Sequence, residues 1–434
     1  MIKTILSTRW GEVFSNKDGF FVKFIEDGYC GTDDWQRVIE CLIKEKVVTP
    51  MKRDNATECY KLSLGNYNPI YPYEWAYGMF LEAFNLVLKY VSILEQFECE
   101  PYTINPYECI GVFGAKPRLI FPAFRKKNGE SYAAIMDTIS AMYLWPLKEL
   151  RINSDVVRSI IKSNHHQMYT ISDLENVHYG LAGTKIRQYR DKVYHHLPGW
   201  ARKRMQSSLS KISKEASKLS YNGPKRDDWS GYLPENVDID KIEQQDCFER
   251  YDKVAKLMLQ IKPKTVVEMG GNKGLFAMHA CRTVGSIERY YCGDYDEHAV
   301  NWLYNYLQNT NEFKMIYPMV LNFQDTYKKL WLRPLGDRIE ADCCVAMALT
   351  HHLLLRQQVS IDIMFEGFAS CTKEWLLVEF MPKGVWKTME RTYNMIPEYS
   401  FEWFKAHMEK RFDVKDVVEV IEGHRVLLIG KKRM

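Results

Sequence analysis

Hydrophobic and polar residues alternate in short runs over residues 1–70, with turn residues between the runs. The runs GFFVKFI and CYKLSL are typical, and a period of two predicts the strands of a small antiparallel sheet. Over residues 71–97 the apolar positions instead recur at helical spacing, which predicts one long buried helix. Strand-like runs follow at residues 109–113 and 118–121, and helices resume over residues 133–150. The N-terminal half is therefore predicted to be α+β.

Downstream, strand patterns and helix patterns alternate regularly along the chain. Such alternation predicts a parallel sheet with helices on both faces. The last two strand patterns are joined only by Gly423 and His424, so they should form an antiparallel hairpin at the sheet edge. The predicted strands are residues 265–269, 289–293, 315–321, 342–348, 375–380, 414–422 and 425–430, and the predicted helices are residues 275–282, 297–309 and 361–371.

The chain has 434 residues, of which 46% are hydrophobic and 26% charged. This is the composition of a folded globular protein with two or three domains, and it excludes wholesale disorder, collagen and coiled coil. The N-terminus has no apolar core long enough for a signal peptide, and the most apolar helical stretch is interrupted by Glu82 and Lys89. The cysteines are scattered without a C-x-x-C. We therefore expect a reduced, cytoplasmic protein without a membrane span or a structural metal.

Positive charge is concentrated in one segment, residues 185–226, which contains 12 Lys or Arg and only two acidic residues, Asp191 and Glu215. Two predicted helices are separated there at Pro198. The segment fits a solvated helix face, a surface that meets an anionic membrane or a lipid-linked glycan phosphate, or a nucleic-acid contact. Nucleic acid is the least favoured partner, because no RNA-binding motif and few aromatic residues accompany the charge.

This charge pattern also divides the chain. The expected domains are an N-terminal α+β domain over residues 1–180, a basic helical connector over residues 181–235 and an α/β domain over residues 236–434.

The sharpest local motif is the segment TVVEMGGNKGLFAMHA, in which a predicted strand runs into glycines and then into a helix. Glycines at such a turn permit positive φ and let a ligand approach the backbone, while the helix start favours an anionic group. The order is Glu268, Gly270, Gly271, Asn272 and Gly274, with Asn272 where the dinucleotide fingerprint needs a glycine, so NAD and FAD are disfavoured. The alternative is a glycine turn that binds nothing.

The next predicted strand ends in Asp294, 20 residues after Gly274. A carboxylate at this place can accept hydrogen bonds from the ribose hydroxyls of a nucleoside cofactor. Taken alone, Asp294 or Asp296 could equally be the N-cap of the helix that follows. The glycine motif favours the ligand interpretation.

Together, the glycine loop, the acidic second strand, five parallel strands and a terminal hairpin resemble a class I S-adenosylmethionine-dependent methyltransferase over residues 240–434. The segments ALTHHLLL (348–355), LLVEFMPK (376–383) and YPYEWAYGM (71–79) are similar to a bacterial group that includes nodulation-type and surface-polysaccharide-associated methyltransferases. The resemblance implies a Rossmann-like domain with a seven-stranded, mostly parallel sheet. It also implies S-adenosylmethionine as the cofactor, without fixing the acceptor.

Carried over residue by residue, Glu268, Gly270 and Gly274 form the methionine-side loop, which also contains Gly271 and Asn272, and Asp294 holds the ribose. Asn322 matches a position where related enzymes usually have Asp to meet the adenine amino group. The change keeps an acceptor oxygen and removes the charge.

Phe323, next to Asn322, could pack on adenine or belong to the core.

His351 and His352 follow the fourth parallel strand, at the edge where open α/β sheets bind ligands. A neutral imidazole can take the proton from a hydroxyl as the methyl group is transferred, and plant-type O-methyltransferases that this loop resembles have their base at the position of His351. Either histidine could instead cap a helix or bind the backbone. Glu379, at the end of the fifth strand, could orient a histidine or a sugar hydroxyl, or pair with Lys383.

In the N-terminal half, relatives carry a pattern that resembles a degenerate protein-kinase core. Thr103, Glu108 and Pro122 stand at the acidic or amide positions of that pattern. Because the metal-binding carboxylates are missing, this half is expected to be a scaffold or an acceptor-binding domain.

The expected activity is O-methylation of a hydroxyl on a sugar, a glycan or a related small metabolite, in the cytoplasm or at the inner membrane surface. The rival hypotheses are methylation of RNA or of a natural product, and a non-catalytic scaffold that keeps the fold.

Overall fold

The computed structural model divides the chain into two compact units, Met1–Pro224 and Lys225–Met434. The predicted connector over residues 181–235 lies largely outside the described residues, as does most of the basic segment 185–226. Its described part, residues 208–221, belongs to the first unit, where Tyr221 packs on Tyr77. The structure describes residues 3–8, 11–16, 19–24, 35–49, 51–54, 59–62, 67–127, 131–151, 154–163, 208–221, 223, 238–245, 247–326, 332–384 and 396–433.

The first unit is α+β, as the alternating runs predict. It begins with an antiparallel sheet in the order β1-β2-β3-β5-β4, followed by the small sheets β6-β8-β9 and β7-β10. Its strands are β1 (Lys3–Thr8), β2 (Gly11–Asn16), β3 (Gly19–Phe24), β4 (Met51–Asp54), β5 (Cys59–Leu62), β6 (Tyr67–Asn68), β7 (Cys99–Pro101), β8 (Ile110–Phe113), β9 (Lys116–Leu119) and β10 (Phe124–Lys126). Its helices are α1 (Trp35–Lys44), α2 (Tyr77–Gln96), α3 (Pro106–Cys109), α4 (Ser131–Ile139), α5 (Trp145–Glu149), α6 (Ser154–Ser163) and α7 (Leu209–Ala216).

Helix α2 is the predicted long helix, and it forms the centre of the first unit. Phe84 is fully buried and stacks on Tyr143, with ring centroids 5.7 Å apart, and the Tyr90 hydroxyl donates to the carbonyl of Ala123. By length and composition alone α2 could cross a membrane. Because its apolar side chains pack inside the unit, we interpret it as a core helix.

The second unit is built on one seven-stranded sheet in the order β13-β12-β11-β14-β15-β17-β16. Its first five strands are parallel, and β17 lies antiparallel to both β15 and β16. The strands are β11 (Thr265–Met269), β12 (Arg289–Asp294), β13 (Ile316–Val320), β14 (Ala341–Ala346), β15 (Thr372–Phe380), β16 (Phe412–Ile421) and β17 (Arg425–Lys432). The helices are α8 (Phe248–Ile261), α9 (Leu275–Thr283), α10 (Glu297–Gln308), α11 (Leu335–Arg338), α12 (Ile361–Cys371) and α13 (Phe401–Met408).

The predicted fold class is confirmed: a Rossmann-like α/β unit with an antiparallel C-terminal hairpin follows an α+β unit. The inner strands read as continuous apolar runs, since they are covered on both faces. Fully buried Val266, Tyr290, Cys343 and Leu377 come from four neighbouring strands and belong to one core cluster. This packing fixes the carboxyl ends of β11, β12, β13 and β14 at one edge of the sheet, where the predicted site residues lie.

Candidate functional site

The glycine loop connects β11 to α9 and follows a path that requires glycine at two positions. Gly270 has φ +85° and Gly274 has φ +71°, a left-handed region that side chains with a Cβ rarely adopt. The amides of Gly270 and Gly271 both donate to the carbonyl of Gly293, at 2.8 and 3.0 Å. The end of β12 therefore holds the loop in place.

Close packing encloses the loop on two sides. A Cβ at Gly271 would overlap the Sγ of Cys292 and lie 3.0 Å from the Oε2 of Glu268. At Gly270, a Cβ would face Leu349 at 3.5 Å and the carbonyl of Met347 at 3.8 Å, so this glycine lies against the turn that follows β14. The loop and the turn before His351 are thus neighbours.

Glu268 lies beneath the loop, where it is almost completely buried. Its Oε2 accepts a hydrogen bond from the Tyr290 hydroxyl at 3.0 Å, and the Cys292 thiol is 3.7 Å away. Burial raises the pKa of Glu268 to about 7, and these two hydrogen bonds lower it only in part. Through these contacts, Glu268 supports the loop from inside the unit.

Asp294 is partly exposed at the end of β12, and its carboxylate binds backbone amides. Oδ2 accepts from Asn272 at 2.7 Å and Oδ1 accepts from Asp296 at 2.8 Å. Desolvation raises the pKa of Asp294 to about 6, against the effect of these amides. The N-cap of α10 is Asp296, whose Oδ1 accepts from His298. Asp294 therefore does not cap this helix, and its carboxylate links the end of β12 to the glycine loop.

Asn322 and Phe323 follow β13, next to Asp294, because the Leu321 amide donates to the Asp294 carbonyl at 2.8 Å. The Oδ1 of Asn322 accepts from the Gln324 amide at 3.1 Å and so begins a short helical turn.

The Phe323 ring is buried and packs edge-on against Phe368, with ring centroids 5.3 Å apart. The structure thus places Phe323 in the core, and its contact with adenine stays a prediction.

His351 and His352 lie together at the start of a short π-helical turn after β14, with ring centroids 3.9 Å apart. His351 is 3% exposed, and its Nδ1 has no hydrogen bond to any described residue. The pKa of His351 lies well below its usual value, because burial disfavours the charged ring and the neighbouring His352 and Arg425 oppose a further positive charge. His351 is therefore a neutral imidazole at pH 7.

Glu379 is fully buried, and its partners are not the ones expected from the sequence. Its Oε2 lies 2.9 Å from Arg425 Nη1 and 3.6 Å from Arg250 Nη1, and it accepts from the Ala348 amide at 2.8 Å. The suggested pairing with Lys383 is corrected by these contacts. Hairpin formation brings β17 and its Arg425 beside β15, which the distance in sequence conceals.

Two further residues of this region were missed from the sequence. Lys273, in the glycine loop, is 1% exposed, and its ammonium lies 5.6 Å from the centre of the Trp302 ring. Arg250, on α8, is 4% exposed. A buried charge within an amphipathic pattern looks like any surface charge, so no sequence signal identified either one.

Two of the three kinase-like positions of the first unit pair with each other. The hydroxyl of Thr103 donates to Glu108 at 2.9 Å, and Pro122 is buried. In the part of the chain that the structure describes, no three His, Cys, Asp or Glu residues form a group that could hold a metal ion. The predicted absence of a metal stays a prediction.

No protein-family model matches the chain. The nodulation protein NoeA of Rhizobium meliloti (strain 1021) is 23% identical over 236 residues, which are 52% of this chain and 45% of that protein. The chain thus spans about half the length of the curated relative it matches. The predicted resemblance to a nodulation-type group is confirmed by this match.

Solved methyltransferase structures are similar to part of this chain at low identity. The magnesium protoporphyrin IX methyltransferase of Synechocystis PCC 6803 is 13% identical, with 46% of this chain and 88% of that chain covered and a TM-score of 0.35. The N-methyltransferase NodS of Bradyrhizobium japonicum WM9 is 11% identical, with 46% and 100% covered and a TM-score of 0.33. Such scores carry no conclusion about the reaction or the substrate.

Proposed function

We propose that the second unit is an S-adenosylmethionine-dependent methyltransferase that acts on a hydroxyl of a sugar, a glycan or a related small metabolite. The observation that carries the proposal is the junction of the glycine loop, Asp294 and the turn before His351 at the carboxyl edge of one parallel sheet. Open α/β sheets bind their ligands at this edge. A nucleoside cofactor bound by the loop and a base that acts on the acceptor would thus lie next to each other at this edge.

The residues at this edge fit the proposed cofactor. Gly270 and Gly274 adopt positive φ, and the glycines of the loop leave parts of its backbone without a Cβ, so a ligand can approach the backbone there. Asp294 accepts the Asn272 amide on Oδ2 and the Asp296 amide on Oδ1, and a carboxylate oxygen can accept more than one hydrogen bond, which allows contacts to the ribose hydroxyls. Asn322 keeps one Oδ1 lone pair for the adenine amino group. When bound, S-adenosylmethionine supplies an electrophilic methyl group on a sulfonium sulfur.

His351 would then act as the general base. A neutral ring can accept the hydroxyl proton as the new carbon–oxygen bond forms, and the depressed pKa keeps His351 neutral at pH 7. Its Nδ1 has no hydrogen bond to a described residue, so the backbone contact considered from the sequence does not occupy that atom. His351 precedes His352 in our ranking because of the resemblance of the loop to plant-type enzymes.

The sugar acceptor rests on the sequence resemblance alone. We also propose a cytoplasmic location with contact to the inner membrane surface through residues 185–226, which is supported by the scattered cysteines and by the positive charge of that segment. We assign the first unit a scaffold or acceptor-binding role. The Thr103–Glu108 pair supports this assignment, because a phosphoryl-transfer site needs metal-binding groups that a threonine and a proline do not supply.

Calorimetric titration of the full chain with S-adenosylmethionine and with NAD tests the cofactor. Micromolar binding of S-adenosylmethionine and none of NAD is expected. Transfer of labelled methyl groups to a panel of sugars, natural products and RNA then identifies the acceptor class. Failure to bind S-adenosylmethionine would refute the enzyme proposal and favour a non-catalytic scaffold.

The base is tested by His351→Ala, which should lower kcat by about 100-fold or more while leaving the cofactor Kd within a few-fold. His352→Ala is the matched control, because the two rings are adjacent. A larger loss for His352→Ala than for His351→Ala would reverse the assignment.

A further inference from the structure

Three charged side chains that the proposed reaction does not use are buried together behind the site. Glu379 is fully buried, Arg250 is 4% exposed and Arg425 is 6% exposed. They come from β15, α8 and β17, and both arginines reach the same oxygen, Oε2 of Glu379. Burying charges is costly, and pairing them often gives no more stability than apolar side chains of similar volume would. A cluster of this kind therefore calls for a reason beyond stability.

The carboxylate of this cluster also holds the turn after β14. Oε2 of Glu379 accepts from the amide of Ala348 at 2.8 Å, and the carbonyl of the same Glu379 accepts from the Thr350 hydroxyl at 2.6 Å. Ala348 has φ +52°, a left-handed conformation that a residue with a Cβ adopts only when its surroundings enforce it. One residue of β15 therefore fixes the turn at two points, and one of these bonds is made at the strained position.

The turn lies between the two parts of the proposed site. On one side Leu349 and the carbonyl of Met347 face Gly270 of the glycine loop. On the other side the chain continues directly into His351. A shift of the turn would therefore move the proposed base relative to the loop that holds the cofactor.

The charge of Arg425 reaches the same histidine. Burial is the largest cause of the lowered pKa of His351, and the charges of His352 beside it and of Arg425 from β17 lower it further. Arg425 in turn is held by Glu379, which Arg250 of α8 also contacts. The cluster thus holds the turn that leads to the imidazole, and its Arg425 adds to the effect of burial on the charge state of the ring.

We propose that Glu379 and Arg425 are positioning residues that hold the Ala348–Thr350 turn and so place His351 against the cofactor loop. This inference rests on the proposed function for its catalytic consequence. Its structural and electrostatic parts can be measured without turnover.

The first test follows His351 by nuclear magnetic resonance in the full chain labelled at histidine, with the signal assigned by its loss in His351→Asn. Arg425→Gln should raise the pKa of His351, because an opposing positive charge is removed, whereas Arg425→Lys should retain most of the effect. Arg433→Gln is the control, since Arg433 follows the same strand but pairs at the surface with Asp413. An unchanged His351 titration in Arg425→Gln would overturn the electrostatic part.

The second test measures hydrogen exchange of the peptide that contains the turn. Glu379→Gln should speed exchange at Ala348, because a neutral amide oxygen is a weaker acceptor and no longer pairs with either arginine. Glu374→Gln is the control on the same strand, where Glu374 makes a surface pair with Lys431. Equal exchange in the two variants would refute the anchoring of the turn.

The third test is kinetic and applies once methyl transfer has been observed. Glu379→Gln should lower kcat by about 10- to 100-fold and change the KM for S-adenosylmethionine much less, since a misplaced base affects the chemical step. Faster exchange with an unchanged kcat would overturn the positioning role. If the wild-type chain neither binds the cofactor nor transfers methyl groups, the proposed function fails, while the first two tests still decide the anchoring of the turn.

Discussion

Gly271→Ala is the substitution for which the structure gives the sharpest prediction. One added methyl group would overlap the Sγ of Cys292 and come within 3.0 Å of Oε2 of Glu268. Both neighbours are buried side chains under the loop, so they have little room to move aside. Overpacking of a well-packed interior costs about 1–3 kcal/mol. We expect the free energy of unfolding to fall by that amount.

The loop must also shift to accommodate the methyl group. Gly271 donates its amide to the carbonyl of Gly293, and the next residue, Asn272, donates to Asp294. Displacement of Gly271 strains both bonds at the place where the cofactor is proposed to lie. We therefore expect the affinity for S-adenosylmethionine to fall by about tenfold or more, which corresponds to about 1.4 kcal/mol.

Gly285→Ala is the matched control. It makes the same chemical change in the same unit, but a Cβ at Gly285 would meet no atom within 4 Å. Urea unfolding and calorimetric titration of both variants separate the two effects. Cys292→Ala combined with Gly271→Ala removes the overlapping sulfur and should recover part of the loss, which a double-mutant cycle measures. Equal stability and equal affinity for Gly271→Ala and Gly285→Ala would refute the reasoning.

Three further predictions concern other parts of the chain. The raised pKa of Glu268 means that the folded unit retains a proton which the unfolded chain releases above about pH 4.5, so this contribution to stability is present at low pH and is lost as the pH rises through about 7. Between pH 5 and pH 8, urea unfolding should show a decrease in the free energy of unfolding, of which the Glu268 part is on the order of 2–3 kcal/mol and is removed by Glu268→Gln, while the raised pKa of Asp294 leaves a smaller decrease in the variant. An undiminished pH dependence in Glu268→Gln would contradict this. Asn322→Asp keeps the oxygen that binds the Gln324 amide and adds a charge, so the cofactor should bind more tightly by calorimetry at unchanged thermal stability, whereas weaker binding would argue against an adenine contact. Phe84→Ala should lower the free energy of unfolding of the first unit by about 3–5 kcal/mol, as measured in urea. Val156→Ala, at an exposed position, should lower it by less than about 1 kcal/mol. Similar values for the two variants would argue against α2 as a core helix.

The order of strands and helices in the second unit was predictable from periodicity, with bounds that differ by a few residues. Strands 342–348 and 375–380 become Ala341–Ala346 and Thr372–Phe380 in the structure. Helices α8, α11 and α13 were not predicted, although Tyr251, Val254, Ala255 and Met258 of α8 recur at helical spacing. The predicted antiparallel hairpin is confirmed, since a two-residue link leaves the chain no other connection.

The candidate site was predictable only in part. Glycines and an acidic strand end predict a ligand loop, because glycines at a strand-to-helix turn let a ligand approach the backbone. The residues that surround this loop are distant in sequence: Gly271 meets Cys292, and Gly270 meets Leu349. Pairing of parallel strands brings such residues together, and periodicity does not report which side chains then touch.

The sequence by itself determined the fold class and identified the glycine loop and the two histidines as candidates for the site, because each of these depends on local backbone preference or on residue chemistry. Only the tertiary structure decided that Glu379 pairs with Arg425 and Arg250, and that its carboxylate binds the Ala348 amide. Burial decided which side chains have a shifted pKa. A carboxylate or an imidazole acquires its partner and its pKa from the groups that the fold packs around it, and those groups come from strands and helices far apart in the chain.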